Sequence, residues 1–481
     1  MSLREFRDDD RASSEPTGRL AVLAPRRERL AIVSTRNKLC GIAAYTHALE
    51  RQLADLFEIT VFDLDQYLLR SKHPRIRKLG DRHIKEICRD IAAFDAVSIQ
   101  LEFGTLGCDA ADIVRRFRWL SRAARRLSVT FHTLVRPPAF PFMDFAKAMA
   151  QRKWRAAYGI AATFSYNNQV SVGTARTLRH HQRCKPVSVI VHNRRDLFDA
   201  RHLHRFKRVY DHPLSFLSRS EADALLAHSA RRQFAQLDSL ALDAKLIGVF
   251  GFLSNYKGFE TVIRALHHLP EDYHLLIFGG VHPNQIERHA VIHPYVASLL
   301  SDAHVDATLY DHMHGAPTIG LNLDIERHLH DLFGKHPRDL SSRVHFMGAL
   351  DDSDFLAGMT ICDVVVLPYL EVGQSSSGPI SQAVELGCRI IASRTHTFLE
   401  FARYHPDTVE FFDIGNHLEL AERIAARRRY AVRRDRLAYT VETNKAVYLA
   451  ANSARSPASP ISPGAVSPSE ARRQPRRRAA P

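Results

Sequence analysis

Short apolar runs return along this chain at intervals filled by amphipathic helices, and that alternation restricts it to parallel sheets covered by helices. Leu30–Ser34 (LAIVS) reads as a buried strand. Gly41 then opens a helix with Ile42, Tyr45, Leu49, Leu53 and Leu56 on one face, and Glu58–Leu64 (EITVFDL) is the next strand. Ala96–Leu101, Leu127–Phe131 and Val187–Val191 add three more. After a charged, helix-prone stretch the same grammar restarts at Leu246–Phe250. A helix opened by Gly258 follows, carrying Phe259, Val262, Ile263 and Leu266. His274–Phe278, Val344–Met347, Val364–Pro368 and Arg389–Ala392 are the further strands. The expectation is an α/β chain of two Rossmann-like, doubly wound domains over 29–205 and 244–430. A connector over 206–243 joins them, and a C-terminal helix over 431–452 follows. Any ligand belongs at the carboxyl ends of the strands, in the cleft between the domains.

A length of 481 residues suits two domains with tails. The tail over 453–481 is rich in Pro, Ser and Arg and cannot bury enough apolar surface to offset its ordering entropy, so it is predicted to be disordered, as are residues 1–28. No apolar run approaches the ~20 residues of a membrane span, and residues 1–28 hold no signal-peptide stretch, which predicts a cytoplasmic protein. The six cysteines form no CxxC pair, which argues against a disulfide framework or zinc site. The histidines at 202–206 and 312–315 assemble no ligand set, so no metal is expected. Residues 281–342 are longer than their flanking strands require and receive no functional reading.

Charge is distributed unevenly. Residues 29–200 carry a net +14 and residues 201–452 a net −4, with zero over 1–28 and +5 over 453–481. The basic first half predicts an anionic partner. Asp112–Leu127 reads as one helix with Ile113, Phe117, Leu120, Ala124 and Leu127 as its buried stripe. Arg115, Arg118, Arg122, Arg125 and Arg126 lie opposite, with Trp119 on the outer face. Leu68–Arg82 and the Arg152-Lys153-Trp154-Arg155 cluster repeat the mix. Arginines beside tryptophan fit peripheral adsorption to an anionic membrane surface, here the inner face of the cell membrane. Nucleic-acid binding has only the basic charge behind it and no recognised reading motif.

Two segments carry chemistry. In VVVLPYLEVGQSSSGPISQAVELGCRIIAS (Val364–Ser393), a buried strand runs into the loop Gln374-Ser375-Ser376-Ser377-Gly378. A helix with Pro379 at its first position follows. Backbone N–H groups and three hydroxyls at a helix N-terminus suit a phosphate or diphosphate. Lys257, in the loop after the second domain's first strand, adds a cation facing the same cleft.

These segments, with IVSTRNKLCGIAAYTHALERQL, SIQLEFG, VTFHTL, VIVHN, HLLIFGG and RVHFMGAL, resemble glycosyltransferase family 4 over most of Leu30–Ala451. That family comprises retaining, sugar-nucleotide-dependent enzymes of GT-B fold. The resemblance implies transfer from a nucleoside-diphosphate sugar to a hydroxyl of a glycan, polysaccharide or lipid-linked acceptor, with no metal and no cofactor beyond the donor itself. It places the diphosphate-binding lysine on Lys257, a histidine beside the donor sugar on His132, and the glycine that lets backbone approach the phosphates on Gly41. The loop Gln374–Gly378 falls where the donor is held. The family's glutamate pair falls on Gln374 and Gln382, so amides stand where carboxylates are usual, and Phe252 occupies the place of an arginine. Cys40 stands where a second glycine is common. These departures keep a second expectation open, a catalytically degenerate relative that binds a sugar nucleotide or a protein partner.

Overall fold

The computed structural model describes residues 26–36, 40–281, 294–303, 340–426 and 432–454. Most of the predicted tails and of the long 281–342 segment, including the histidines at 312–315, lie outside the described residues.

Two parallel sheets of six strands each form the scaffold. The first has the order β2-β1-β3-β4-β5-β6, from β1 (Glu28–Ser34), β2 (Phe57–Asp63), β3 (Ala96–Leu101), β4 (Leu127–Phe131), β5 (Val187–Val191) and β6 (Arg208–Asp211). Its helices are α1 (Gly41–Leu53), α2 (Gln66–Leu69), α3 (Pro74–Ile91), α4 (Ala110–Ala123), α5 (Phe142–Ala150), α6 (Trp154–His181) and α7 (Arg194–Phe198). After α8 (Arg219–His228) comes the second sheet, with the order β12-β11-β10-β7-β8-β9. Its strands are β7 (Lys245–Phe250), β8 (Tyr273–Phe278), β9 (Val344–Gly348), β10 (Val364–Leu367), β11 (Ile390–Ser393) and β12 (Glu410–Phe412). Here the helices are α9 (Phe259–Leu266), α10 (Pro294–Ala303), α11 (Asp352–Ile361), α12 (Gly378–Leu386), α13 (His396–Ala402) and α14 (His417–Ala425). The chain ends its described course in α15 (Val441–Asn452).

The core follows the apolar pattern. Strands β3, β4 and β5 are buried at every position, as sheets covered on both faces require. Ile113, Phe117 and Leu120 of α4 are wholly buried among them, and Val262, Ile263 and Leu266 of α9 play the same part beneath the second sheet. Removing such a side chain as Phe117 costs roughly 3–5 kcal/mol, transfer and cavity together.

Several boundaries differ from expectation. The connector over 206–243 contains β6, which pairs with β5 and completes the first sheet. Its four residues, RVYD, form an edge strand with charged ends, which masks the apolar signal. The C-terminal helix starts only at Val441 and lies on the first domain, not the second. Tyr448 OH sits 2.9 Å from Thr130 Oγ1, Ser128 donates to Asn452 Oδ1 at 2.7 Å, and Asn444 donates to Gln52 Oε1 at 2.8 Å. Gly258 precedes its helix in a left-handed conformation at φ 65°, and a Cβ there would meet the Pro368 carbonyl oxygen at 2.2 Å, so only glycine fits.

The basic face predicted over 112–127 is broken up. The helix ends at Ala123, because Ala124 is extended, so Arg125 and Arg126 leave its wheel. Arg126 donates to Asn452 O at 2.6 Å and pairs with Glu28 at 3.2 Å. Arg115 pairs with Asp81 at 2.7 Å and Asp112 at 2.9 Å. Trp119 is half-buried against the core, with Lys85 Nζ 5.0 Å and Arg115 Cζ 5.4 Å from its ring, so it is not an outward wedge. Arg118 and Arg122 stand exposed. Arg116 is fully buried, bonded to Asp81 at 2.8 Å and to the carbonyls of Leu69 and Leu106.

Candidate active site

The carboxyl ends of the strands converge where the domains meet. In the second domain the loop after β7 folds back so that Lys257 is buried beside Gly251. Its Nζ donates to Tyr369 OH and lies 3.8 Å from the centre of that ring and 5.1 Å from that of Tyr256. No carboxylate reaches it among the described residues. Burial alone pushes this ammonium down to about 7. Tyr369 OH stands 3.2 Å from Ser377 Oγ, so lysine, tyrosine and serine form one chain that ends at the N-terminus of α12.

Ser377 is the residue before α12 and makes no side-chain cap bond. Pro379 falls at the second helical position, one later than expected, because Gly378 already has helical geometry. The uncapped N-terminus therefore keeps backbone N–H groups and a partial positive charge for an anion. Around it are buried polar atoms without protein partners among the described residues, namely Gln374 Oε1, Ser381 Oγ and His192 Nε2. Each such group costs roughly 1–3 kcal/mol unless something else satisfies it. Gln382 is buried on the same helix.

The loop also docks on the first domain. Ser375 Oγ accepts from Leu134 N at 3.3 Å, and Asn193 Nδ2 donates to Ser375 O at 2.9 Å. Ser376 lies half-buried between these contacts and Ser377.

On the first domain three adjacent strands each end in histidine, with His132 after β4, His192 after β5 and His212 after β6. His132 Nε2 lies 3.2 Å from Gln100 Oε1, and Tyr45 packs edge-on against both His132 (5.6 Å) and His192 (5.7 Å). Burial, then the neighbouring His192, hold His132 well below the usual imidazole range. Burial takes His192 to about 4 and His212 to about 3. The row is neutral at ordinary pH and offers hydrogen bonds rather than charge. Gly41, first residue of α1, is exposed, and a Cβ there would touch nothing in the protein.

No model of a protein family matches the sequence, and no curated protein matches it. Among solved structures, the chain is similar to a UDP-forming α,α-trehalose-phosphate synthase from Burkholderia xenovorans at 12% identity, with a TM-score of 0.55 over 88% of this chain and 98% of that one. It is also similar to a sucrose-phosphate synthase from Thermosynechococcus elongatus at 15% identity, TM-score 0.50, over 88% and 95%. Anabaena HepE in complex with UDP gives 15%, TM-score 0.50, over 87% and 97%. The fold is GT-B.

Within the GT-B cleft the structure brings Lys257, Ser375, Ser376, Ser377, Gly378, Gln374 and Gln382 together on the second domain, with His132 across from them. Arg115, Arg118, Trp119, Arg122 and Arg126 lie on and just beyond α4, apart from this group. Two buried carboxylates, one in the cleft and one near the far end of α12, received no role from sequence reasoning. Glu102, directly after β3, accepts from Thr133 Oγ1 at 3.0 Å, and burial pushes its carboxyl up to about 7. Its place in the segment SIQLEFG, at a strand's carboxyl end, was the available signal. Glu385 accepts from Ser215 Oγ at 2.7 Å and from the amides of Phe216 and Leu217, clamping the connector to α12. Burial lifts it to about 8 against the pull of those donors, and its role is structural.

Proposed function

We propose that this protein is a retaining glycosyltransferase that moves a sugar from a nucleoside-diphosphate sugar to a hydroxyl acceptor. The observation that carries the reading is Lys257, a buried ammonium with no carboxylate partner among the described residues, linked through Tyr369 to the N-terminus of α12. An unpaired cation and a helix N-terminus in one cleft suit a diphosphate, whose two negative charges they answer without a resident metal ion.

In this mechanism the bond between the anomeric carbon and the diphosphate oxygen breaks while the acceptor oxygen bonds to the same carbon, and the acceptor hydroxyl's proton passes to the departing diphosphate oxygen. Lys257 and the N–H groups of the Ser375–Gly378 turn take the charge that develops on the departing diphosphate. Gln374 Oε1 accepts from a sugar or ribose hydroxyl, which restores a partner to that buried atom, and the Gln382 amide bonds a neighbouring hydroxyl. His132, held neutral, contacts the sugar, and Gly41 admits the phosphates near α1. The acceptor enters from the first domain on the face the diphosphate leaves, which retains anomeric configuration, and Glu102 orients its hydroxyl. The structural neighbours include proteins described as forming UDP or bound to it, so UDP-sugars are the first donors to try.

The amides at 374 and 382 favour a second reading, a protein that binds sugar nucleotide without turning it over. Calorimetry with UDP, GDP and ADP and their common sugars, followed by product analysis, separates the two. Saturable binding lost in Lys257→Ala, with glycoside product, supports transfer. Binding without product supports the second reading, and no binding from a folded sample removes both.

A further inference from the structure

The hairpin between β4 and β5 overshoots its domain. Helix α6 has 28 residues, about 42 Å at 1.5 Å per residue, against a strand β4 of 5 residues, about 17 Å. Its end at His181 lies six residues before β5, so the excess projects past the carboxyl ends of the strands, on the cleft side. Burial agrees, since apart from Ala157 the buried positions of α6 begin at Val170. The projecting half packs on α5 through Phe140, which stands against Phe145 (5.3 Å) and Phe164 (5.0 Å), and meets the first domain's core at Tyr166.

That internal packing leaves other large side chains in water. Phe142 is 67% exposed, Met143 79%, Trp154 61% and Tyr158 77%. Around them stand Lys147, Arg152, Lys153 and Arg155, all exposed and in no ion pair among the described residues, with Asp144 the single acid on the projecting tip. The turn between the helices puts Arg152 at φ 56°, where glycine is favoured, yet the position holds a cation.

We propose that the α5–α6 tip inserts into the headgroup layer of an anionic membrane, with Phe142, Met143, Trp154 and Tyr158 as wedges and the four cations on lipid phosphates. The charge pattern selects this occupant. A second copy seated on the same patch by two-fold symmetry would set four cations against four, which an isologous interface does not tolerate. The docked tip brings the mouth of the cleft to the lipid surface. This inference stands on the hairpin's geometry and does not need the sugar-transfer reading.

The chain has two tryptophans, Trp119 and Trp154, so Trp119→Phe leaves Trp154 as the sole indole reporter. With vesicles of equal phosphatidylglycerol and phosphatidylcholine, its emission is expected to shift blue and to be quenched by dibrominated lipid, while pure phosphatidylcholine gives neither. Trp154→Phe, retaining Trp119, is expected to show no quenching and guards against a folding defect in the first variant. Charge reversal at Lys147, Arg152, Lys153 and Arg155 together is expected to cut co-sedimentation at least tenfold, and reversal at Arg118 and Arg122 less than twofold. Absence of pelleting on anionic vesicles overturns the proposal, as does pelleting without Trp154 quenching. Sedimentation velocity showing a dimer that Phe142→Ser with Trp154→Ser dissociates would assign the patch to self-association and overturn it too.

Discussion

Nζ of Lys257 lies 3.8 Å from the centre of the Tyr369 ring and donates to that residue's hydroxyl, with no carboxylate in reach among the described residues. The cation is therefore held by an aromatic ring and a dipole, which keeps its charge available to a ligand. Lys257→Met is expected to weaken nucleotide-sugar binding at least tenfold, by calorimetry, while raising thermal stability near pH 7 because a buried ammonium has been removed. A variant that loses stability and keeps its affinity would refute both halves.

The same residue has a pH signature. Its folded value of about 7 lies below that of an unfolded lysine, so between pH 7 and ~10.5 the unfolded chain binds more protons and stability rises with pH. Lys257→Met should flatten that rise in thermal melts. Binding runs the other way. At pH 8 the free lysine is largely neutral, so donor binding should take up close to one proton, read from calorimetry in buffers of different ionisation enthalpy, and Lys257→Met should take up none.

Glu102 is expected to shape the acid side of the rate profile. With its carboxyl near 7, kcat/KM should rise through that pH as the carboxylate forms. Glu102→Gln should lower kcat/KM by roughly 10²-fold and remove the limb near pH 7. An unchanged profile would take Glu102 out of the acceptor side.

Gly41 separates fold from ligand. Since a Cβ there touches no protein atom, Gly41→Ala should leave the melting temperature within a few degrees of the parent or raise it. Donor affinity should fall several-fold if backbone approaches the phosphates there, and titration of the variant decides it.

Glu385→Gln tests the clamp on the connector. A folded value of about 8 lies above that of an unfolded glutamate, so this carboxyl contributes stability below pH ~4.5 that is lost as pH rises through 8. The amide should abolish that slope, and its NH₂ facing the Phe216 and Leu217 amides should cost about 1–3 kcal/mol in denaturant unfolding.

Legibility in the sequence followed burial and chain distance. Strands β3, β4 and β5 were found at their observed bounds because a strand covered on both faces is rich in apolar, β-branched residues and holds no charge. The edge strands β6 and β12 were missed because three or four residues with a charge among them carry no such signal. Lys257 and the serine loop stood out as local motifs. Tyr369, which makes the lysine special, is 112 residues away along the chain and could not be paired with it by spacing. Arg115 and Trp119 misled for a related reason. A helical wheel shows which way a side chain points, not that Asp81 and Lys85 of the neighbouring helix wait there.

Helix α15 gives the molecule a second crossing between its halves. The chain leaves the first domain after β6 and returns through α14 to lay α15 on the sheet it left, fastened by Lys445 to Asp55 at 2.8 Å as well as by Tyr448 and Asn452. A body tied to another by one tether swivels freely, but two tethers define an axle. Two crossings, like the plies of a book's spine, oppose a twist of the halves out of register more than one would. Cutting one ply would leave a single tether, so the last helix, remote from any chemistry, helps to keep Lys257 of one half in register with His132 of the other.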